Sequence, residues 1–175
     1  MDQILQSDMS ESKKLTSLGE MLFIRSFLYF ELVQQFGKVP LVTEGSFEIR
    51  TDFKRAAIAD IYKQIITDLR TAVEYLPEKV DDSQKGKATS YAASHLLAKV
   101  YLTRGSAVTD VRGQKATDMD SVLYFAENVI KNSPYRLQKN FADLWNIDNM
   151  GNSEVIFAVQ FTSNPIFNDD GNTFH

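Results

Sequence analysis

A chain of 175 residues with 43% apolar side chains holds one ordinary domain, or a piece of a larger one, with enough apolar material for a core. Its net charge of −4 offers no basic footprint for neutralising phosphates, which argues against nucleic-acid binding, and no polybasic face for an anionic membrane. The absence of cysteine removes disulfides, thiolate metal sites and thiol catalysis.

The start, Met1-Asp2-Gln3-Ile4, lacks the positive residues and apolar middle of a signal peptide. Either the protein stays inside the cell or Met1 opens a fragment. A first helix is expected from Ser10 or Ser12 to Phe36. It is apolar on most of its circumference, whereas a surface helix carries a single stripe, so Met21 to Phe36 is expected to be a central rod clothed by other helices. Arg25 and Glu31 interrupt it, so it is no membrane span. Gly37 ends it and Val39-Pro40 forces an extended exit, followed by a loop from Leu41 to Phe53 with room for a short extended piece.

The second helix is expected over Arg55 to Leu76, where Ile58, Ile61, Tyr62, Ile65, Ile66, Leu69, Ala72, Val73 and Leu76 recur three and four apart. Pro77 stops it. The third runs from Thr89 to Arg104. Its small Ala88, Ala92 and Ala93 admit a close neighbour, and Leu96, Leu97, Val100 and Tyr101 fill the remaining space. A polar loop from Ser106 to Thr117 leads to Asp118, the expected N-cap of a fourth helix ending near Asn132, with Val122, Ala126, Val129 and Ile130 inward. A helical turn follows at Asn140 to Trp145. Glu154 to Phe161 is β-branched and aromatic and reads as a short C-terminal strand, although it has no partner strand in this chain. The fold class is all-α, in tetratricopeptide-like antiparallel hairpins. Residues 1–150 form the helical scaffold. Residues 151–175 are a strand and tail leading onward into a part that this chain lacks.

Four blocks resemble one family. Glu20 to Val42, with Arg25, Tyr29-Phe30, Phe36-Gly37 and Val39-Pro40-Leu41-Val42, is similar to "EA-x-FLRA-x-YYF-x-L-x-x-x-FG-x-VPLV". Ile61 to Pro77 resembles "I-x-x-DL-x-x-A-x-x-LP", and Gly86 to Leu102 resembles "GRATK-x-AA-x-ALLARVYL". The fourth block runs from Tyr135 through Leu144-Trp145 to Phe157. The family is the SusD/RagB group of outer-membrane nutrient-binding lipoproteins of Bacteroidetes. Lys87 stands where that family usually has Arg, and Trp145 where Phe is common.

The resemblance implies a non-catalytic binder of oligosaccharides or other nutrients on the cell-surface face of the outer membrane. It implies delivery of the ligand to a SusC-like TonB-dependent transporter, and a lipid anchor and C-terminal half that this chain lacks. It implies no cofactor. Its shared motifs are scaffold motifs, so they transfer no binding residue. A helical-repeat scaffold for protein–protein contact is the alternative.

The candidate residues are few. Trp145, Phe141, Tyr135 and Tyr124 offer aromatic faces that suit sugar rings, with core packing the first expectation for Trp145. In the family, the region after the strand leads toward ligand, which makes Phe167, Asn168, Phe174 and His175 ligand candidates. Arg25, inside an apolar helix, needs a neighbouring acid or loop carbonyls, and a structural role comes first for it. Asp68 is expected to bond loop backbone. Asp169-Asp170-Gly171-Asn172 lacks the alternation and closing Glu of a calcium loop. His95 and His175, the two histidines, have no companion cluster for zinc or a triad. No Gly-x-Ser-x-Gly or phosphate loop occurs, so no enzyme is expected and no metal site is assigned.

Overall fold

The three-and-four spacing of the apolar residues produces helices where it predicts them. The computed structural model describes residues 4, 6–45, 49, 51–81, 84, 86–149 and 151–159. Among these, the long helices are α1 (Glu11–Phe36), α2 (Ile58–Tyr75), α3 (Ser90–Gly105) and α4 (Asp118–Asn132). Each packs chiefly on the next in chain order, α1 on α2, α2 on α3 and α3 on α4, the tetratricopeptide-like arrangement of hairpins. Short 3-10 turns occupy Asp110–Arg112, Phe141–Trp145 and Ile147–Asn149.

The first hairpin closes tightly. A Cβ on Gly19 would stand 3.1 Å from Leu76 Cγ and from Tyr75 Cβ, so the absence of a side chain lets the end of α2 approach α1. Gly37 takes φ +65° and its amide donates to Val33 O, ending α1 as expected. The exit strip then pairs once with the approach to α2, Pro40 opposite Arg55, and Ala56 N donates to Val39 O at 2.9 Å. Two motif side chains hold this strip. Tyr29 Oη accepts from Val42 N at 2.7 Å. Arg25 donates to Thr43 O at 2.9 Å and, through two nitrogens, to both oxygens of Asp68 at 2.8 Å. Arg25 thus has both kinds of partner anticipated for it. Asp68 bonds Arg25 and Gln64 rather than loop backbone. A bidentate pair with Asp68 nearly buried locks α1 to α2 and to the loop at once.

The central rod is not α1. One face of α1 is buried, through Leu22, Phe23, Ser26, Phe30 and Val33, but Met21, Ile24, Leu28 and Leu32 form an open stripe, with Leu28 54% exposed. Among the described helices α2 supplies most of the cover on α1 and α3 touches it only slightly, which leaves the Met21–Leu32 stripe open. The helix enclosed on most sides is α3, which buries eleven residues, among them Ala92, Ala93, Ala98, Leu97 and Val100. Its alanines let α2 and α4 close in on both flanks. Substitution of Leu28 by serine is therefore expected to change stability by less than ~0.5 kcal/mol, a surface-sized effect that urea unfolding would measure.

Three further expectations need correction. Asp118 is the first residue of α4 and not its N-cap; Thr117 holds the cap position, without a side-chain cap bond. The Asp118 carboxylate turns instead toward Arg104. On α4, Phe125 and Val129 are buried while Ile130 is 71% exposed. The C-terminal strand is not formed over 154–159; residues 160 and 161 lie outside the described residues. That segment is pinned by Gln138 N to Glu154 Oε2 at 2.8 Å and Arg136 N to Ser153 O at 2.9 Å. Its apolar side chains pack on helices: Phe157 meets Phe23 edge-on at 4.9 Å and Phe27 at 6.1 Å. β-Propensity expresses a half-buried apolar surface, which a helix face satisfies as well as a second strand does.

Candidate functional site

Asn140 begins the turn that carries Trp145. Its side-chain oxygen accepts from Ala142 N at 3.2 Å, capping a 3-10 turn too short to bury its own residues. Phe141 and Trp145 stand on this turn with ring centroids 6.0 Å apart at 67°. Both face solvent, Phe141 at 73% exposure and Trp145 at 77%. Trp145 is therefore not a core residue, contrary to the first expectation for it. Burying two large aromatics is strongly favourable in water, so leaving both open forgoes that gain. Asparagines brace the loop below them: Asn149 Nδ2 donates to Asp143 O at 3.0 Å and Asn146 Oδ1 accepts from Asp148 N at 3.0 Å. The result is an exposed edge-to-face aromatic pair flanked by amides and a carboxylate, a composition suited to a neutral ligand with both apolar faces and hydroxyls.

The other aromatic candidates are dispersed. Tyr135 lines a cleft of about 310 Å³ with Thr89, Pro134, Asn152 and Ile156, its hydroxyl 3.5 Å from Thr89 Oγ1. Tyr124 lies on α4, 70% exposed and edge-on to Phe125. Phe167, Asn168, Phe174 and His175 lie outside the described residues, as does the acidic Asp169-Asp170 tail. His95 borders an apolar cleft with Phe27 and Phe157. Desolvation first, and the charge of Lys99 second, lower its imidazole from the usual histidine value. Among the described residues no three His, Asp or Glu side chains converge on a metal-sized space, and no helix is long and apolar enough to cross a membrane.

Sequence reasoning did not anticipate a polar cluster where α2, α3 and the start of α4 meet. Arg104 donates to both oxygens of Asp118, and Arg70 donates to Tyr101 Oη. These partners lie 14 and 31 residues apart, beyond any local spacing rule; the sequence sign was an arginine near the end of the alanine-rich third helix.

The SusD-like family, described as starch-binding associating with outer membrane, matches residues 1–102. A SusD-like protein of Bacteroides ovatus is 32% identical over 157 residues, which are 89% of this chain and 28% of that protein. A crystal structure with xylogluco-oligosaccharide is 30% identical and superposes with a TM-score of 0.80, over 92% of this chain and 32% of the other. A laminarin-binding SusD-like protein is 28% identical with a TM-score of 0.77, over 89% and 33%. The chain thus spans about a third or less of the length of these relatives. With the family match covering more than half of the residues and the same helical hairpins in the solved relatives, the chain belongs to the SusD-like family.

Proposed function

We propose that the protein binds an oligosaccharide without catalysing any reaction on it, and that the exposed Phe141–Trp145 pair is its contact on this chain. The observation that carries the reading is the exposure of both rings on a braced turn. The xylogluco-oligosaccharide and laminarin named for two relatives support a neutral glucan as the ligand class. Stacking of one ring on the apolar face of a sugar, with nearby amides meeting hydroxyls, gives weak contacts that several sites together turn into useful affinity. The family's outer-membrane association supports placing the protein on the cell-surface face, handing its ligand to a SusC-like TonB-dependent transporter. Phe167, Asn168, Phe174 and His175 remain proposed ligand contacts beyond the described residues.

Calorimetric titration of the 175-residue chain with laminarin and xyloglucan oligosaccharides tests the reading. Trp145→Ala is expected to weaken binding by about 2 kcal/mol, roughly thirtyfold, as loss of a central aromatic anchor does. It should leave thermal unfolding unchanged, because an exposed ring supports no core. Equal affinity in wild type and variant would remove Trp145 from the site; no binding to either glucan would remove the glycan reading. The competing reading, a scaffold for protein contact, draws on the open α1 stripe of Met21, Ile24, Leu28 and Leu32. It predicts no glycan affinity, so the same titration separates the two.

A further inference from the structure

The cluster beneath the start of α4 forms the floor of an open cleft of about 350 Å³. Four cationic side chains, Lys63, Arg70, Arg104 and Lys115, and one carboxylate, Asp118, line it. That is an excess of three positive charges in a chain whose net charge is −4. The single carboxylate is already committed. It accepts Arg104 Nε at 3.0 Å, a second nitrogen of Arg104, and Lys115 N at 2.9 Å. Arg70 Nε and Nη2 donate to Tyr101 Oη at 3.0 and 2.7 Å, which leaves Nη1 without a partner among the described residues. Both guanidinium groups lie against the Tyr101 ring, Arg104 at 5.3 Å and Arg70 at 5.7 Å from its centroid. The ring holds two like charges close together, and the Tyr101 hydroxyl, accepting from Arg70, keeps its own proton to donate. The Lys63 and Lys115 ammonium groups form no ion pair among the described residues. Thr117 and Ser121, at the positive end of the α4 dipole, complete the rim.

We propose that this cleft binds a single oxyanion group, a carboxylate or sulfate, between Arg70 and the two lysines. An excess of three charges around a cleft of this size raises the local potential and favours a bound counter-anion over diffuse screening. Arg104 and Asp118 act as the floor, fixed by their own pairing, and Arg70, Lys63 and Lys115 supply the free donors. The site stands apart from the aromatic pair on Phe141 and Trp145, so it does not rest on the glucan reading.

The test is an amide-resolved NMR titration of the 175-residue chain with sodium sulfate, and separately with methyl glucuronide, at ionic strength held constant with sodium chloride. Saturable shifts are expected at Thr117, Asp118 and Ser121, half-complete on the order of 1 mM. Lys63→Met with Lys115→Met, both exposed positions, is expected to weaken sulfate about tenfold with thermal unfolding unchanged. Trp145→Ala should leave the anion titration as it is. Saturation by both probes supports the site and assigns an acidic sugar as its source; saturation by sulfate alone supports it with a free anion as occupant. Shifts that grow without saturation, or a lysine double variant that binds as wild type, would overturn the proposal.

Discussion

Asp118→Ala is expected to destabilise the protein by about 3–5 kcal/mol, because it leaves the buried Arg104 guanidinium without its carboxylate. Thermal unfolding should then fall by roughly 6–20 °C for a chain of this size. Arg104→Met should cost a similar amount for the opposite reason, an orphaned buried carboxylate. The double substitution Arg104→Met with Asp118→Leu should lose much less than the sum, since neither charge is then left alone. Strict additivity in that cycle would show the pair to be unimportant. The same pair sets a pH dependence. Burial pushes the Asp118 carboxyl up, but hydrogen bonds from Arg104 and the Lys115 amide, with the Arg104 charge, outweigh it and hold it below its usual 3.8. The folded form is therefore the stronger acid. Its contribution is complete above the unfolded value and is lost as pH falls through the lower folded one. Acid unfolding of Asp118→Ala should lack that loss, and an unchanged acid profile would contradict the assignment.

Phe23→Ala is the second large effect, about 3–5 kcal/mol in denaturant unfolding, for a ring 2% exposed between α1 and the 154–158 segment. Phe157→Ala should cost less, since that ring is half-buried. The informative quantity is the coupling between them, expected at about 0.5–1.5 kcal/mol for an edge-on aromatic pair. This coupling distinguishes a C-terminal segment lying on α1 from a strand paired elsewhere. A coupling of zero would detach the segment from α1.

Much of the helical layout was legible because helix formation is local. Ile58 to Leu76 declares one face without a gap, and Gly37 and Pro77 mark ends that stand within a residue or two of those observed. The partners of Arg25 were legible as a class, because a charge inside an apolar helix must be compensated. What misled was burial. The all-round apolar α1 asks for cover that the other described helices do not supply, while the alanine-rich α3, with small side chains on several sides, became the enclosed element. Trp145 followed the same logic in reverse: its composition suggested a core residue, yet the 3-10 turn that carries it turns both rings outward.

By itself, then, the order of residues determined where helices start and stop, the all-α class and the family, since these depend on spacing along the chain. Only the tertiary structure decided which helix is enclosed, which aromatics face water, and that Arg70, Arg104, Lys63 and Lys115 share one cleft. Those outcomes rest on contacts between residues far apart in sequence, and exposure is fixed by the neighbours that arrive rather than by the side chain itself.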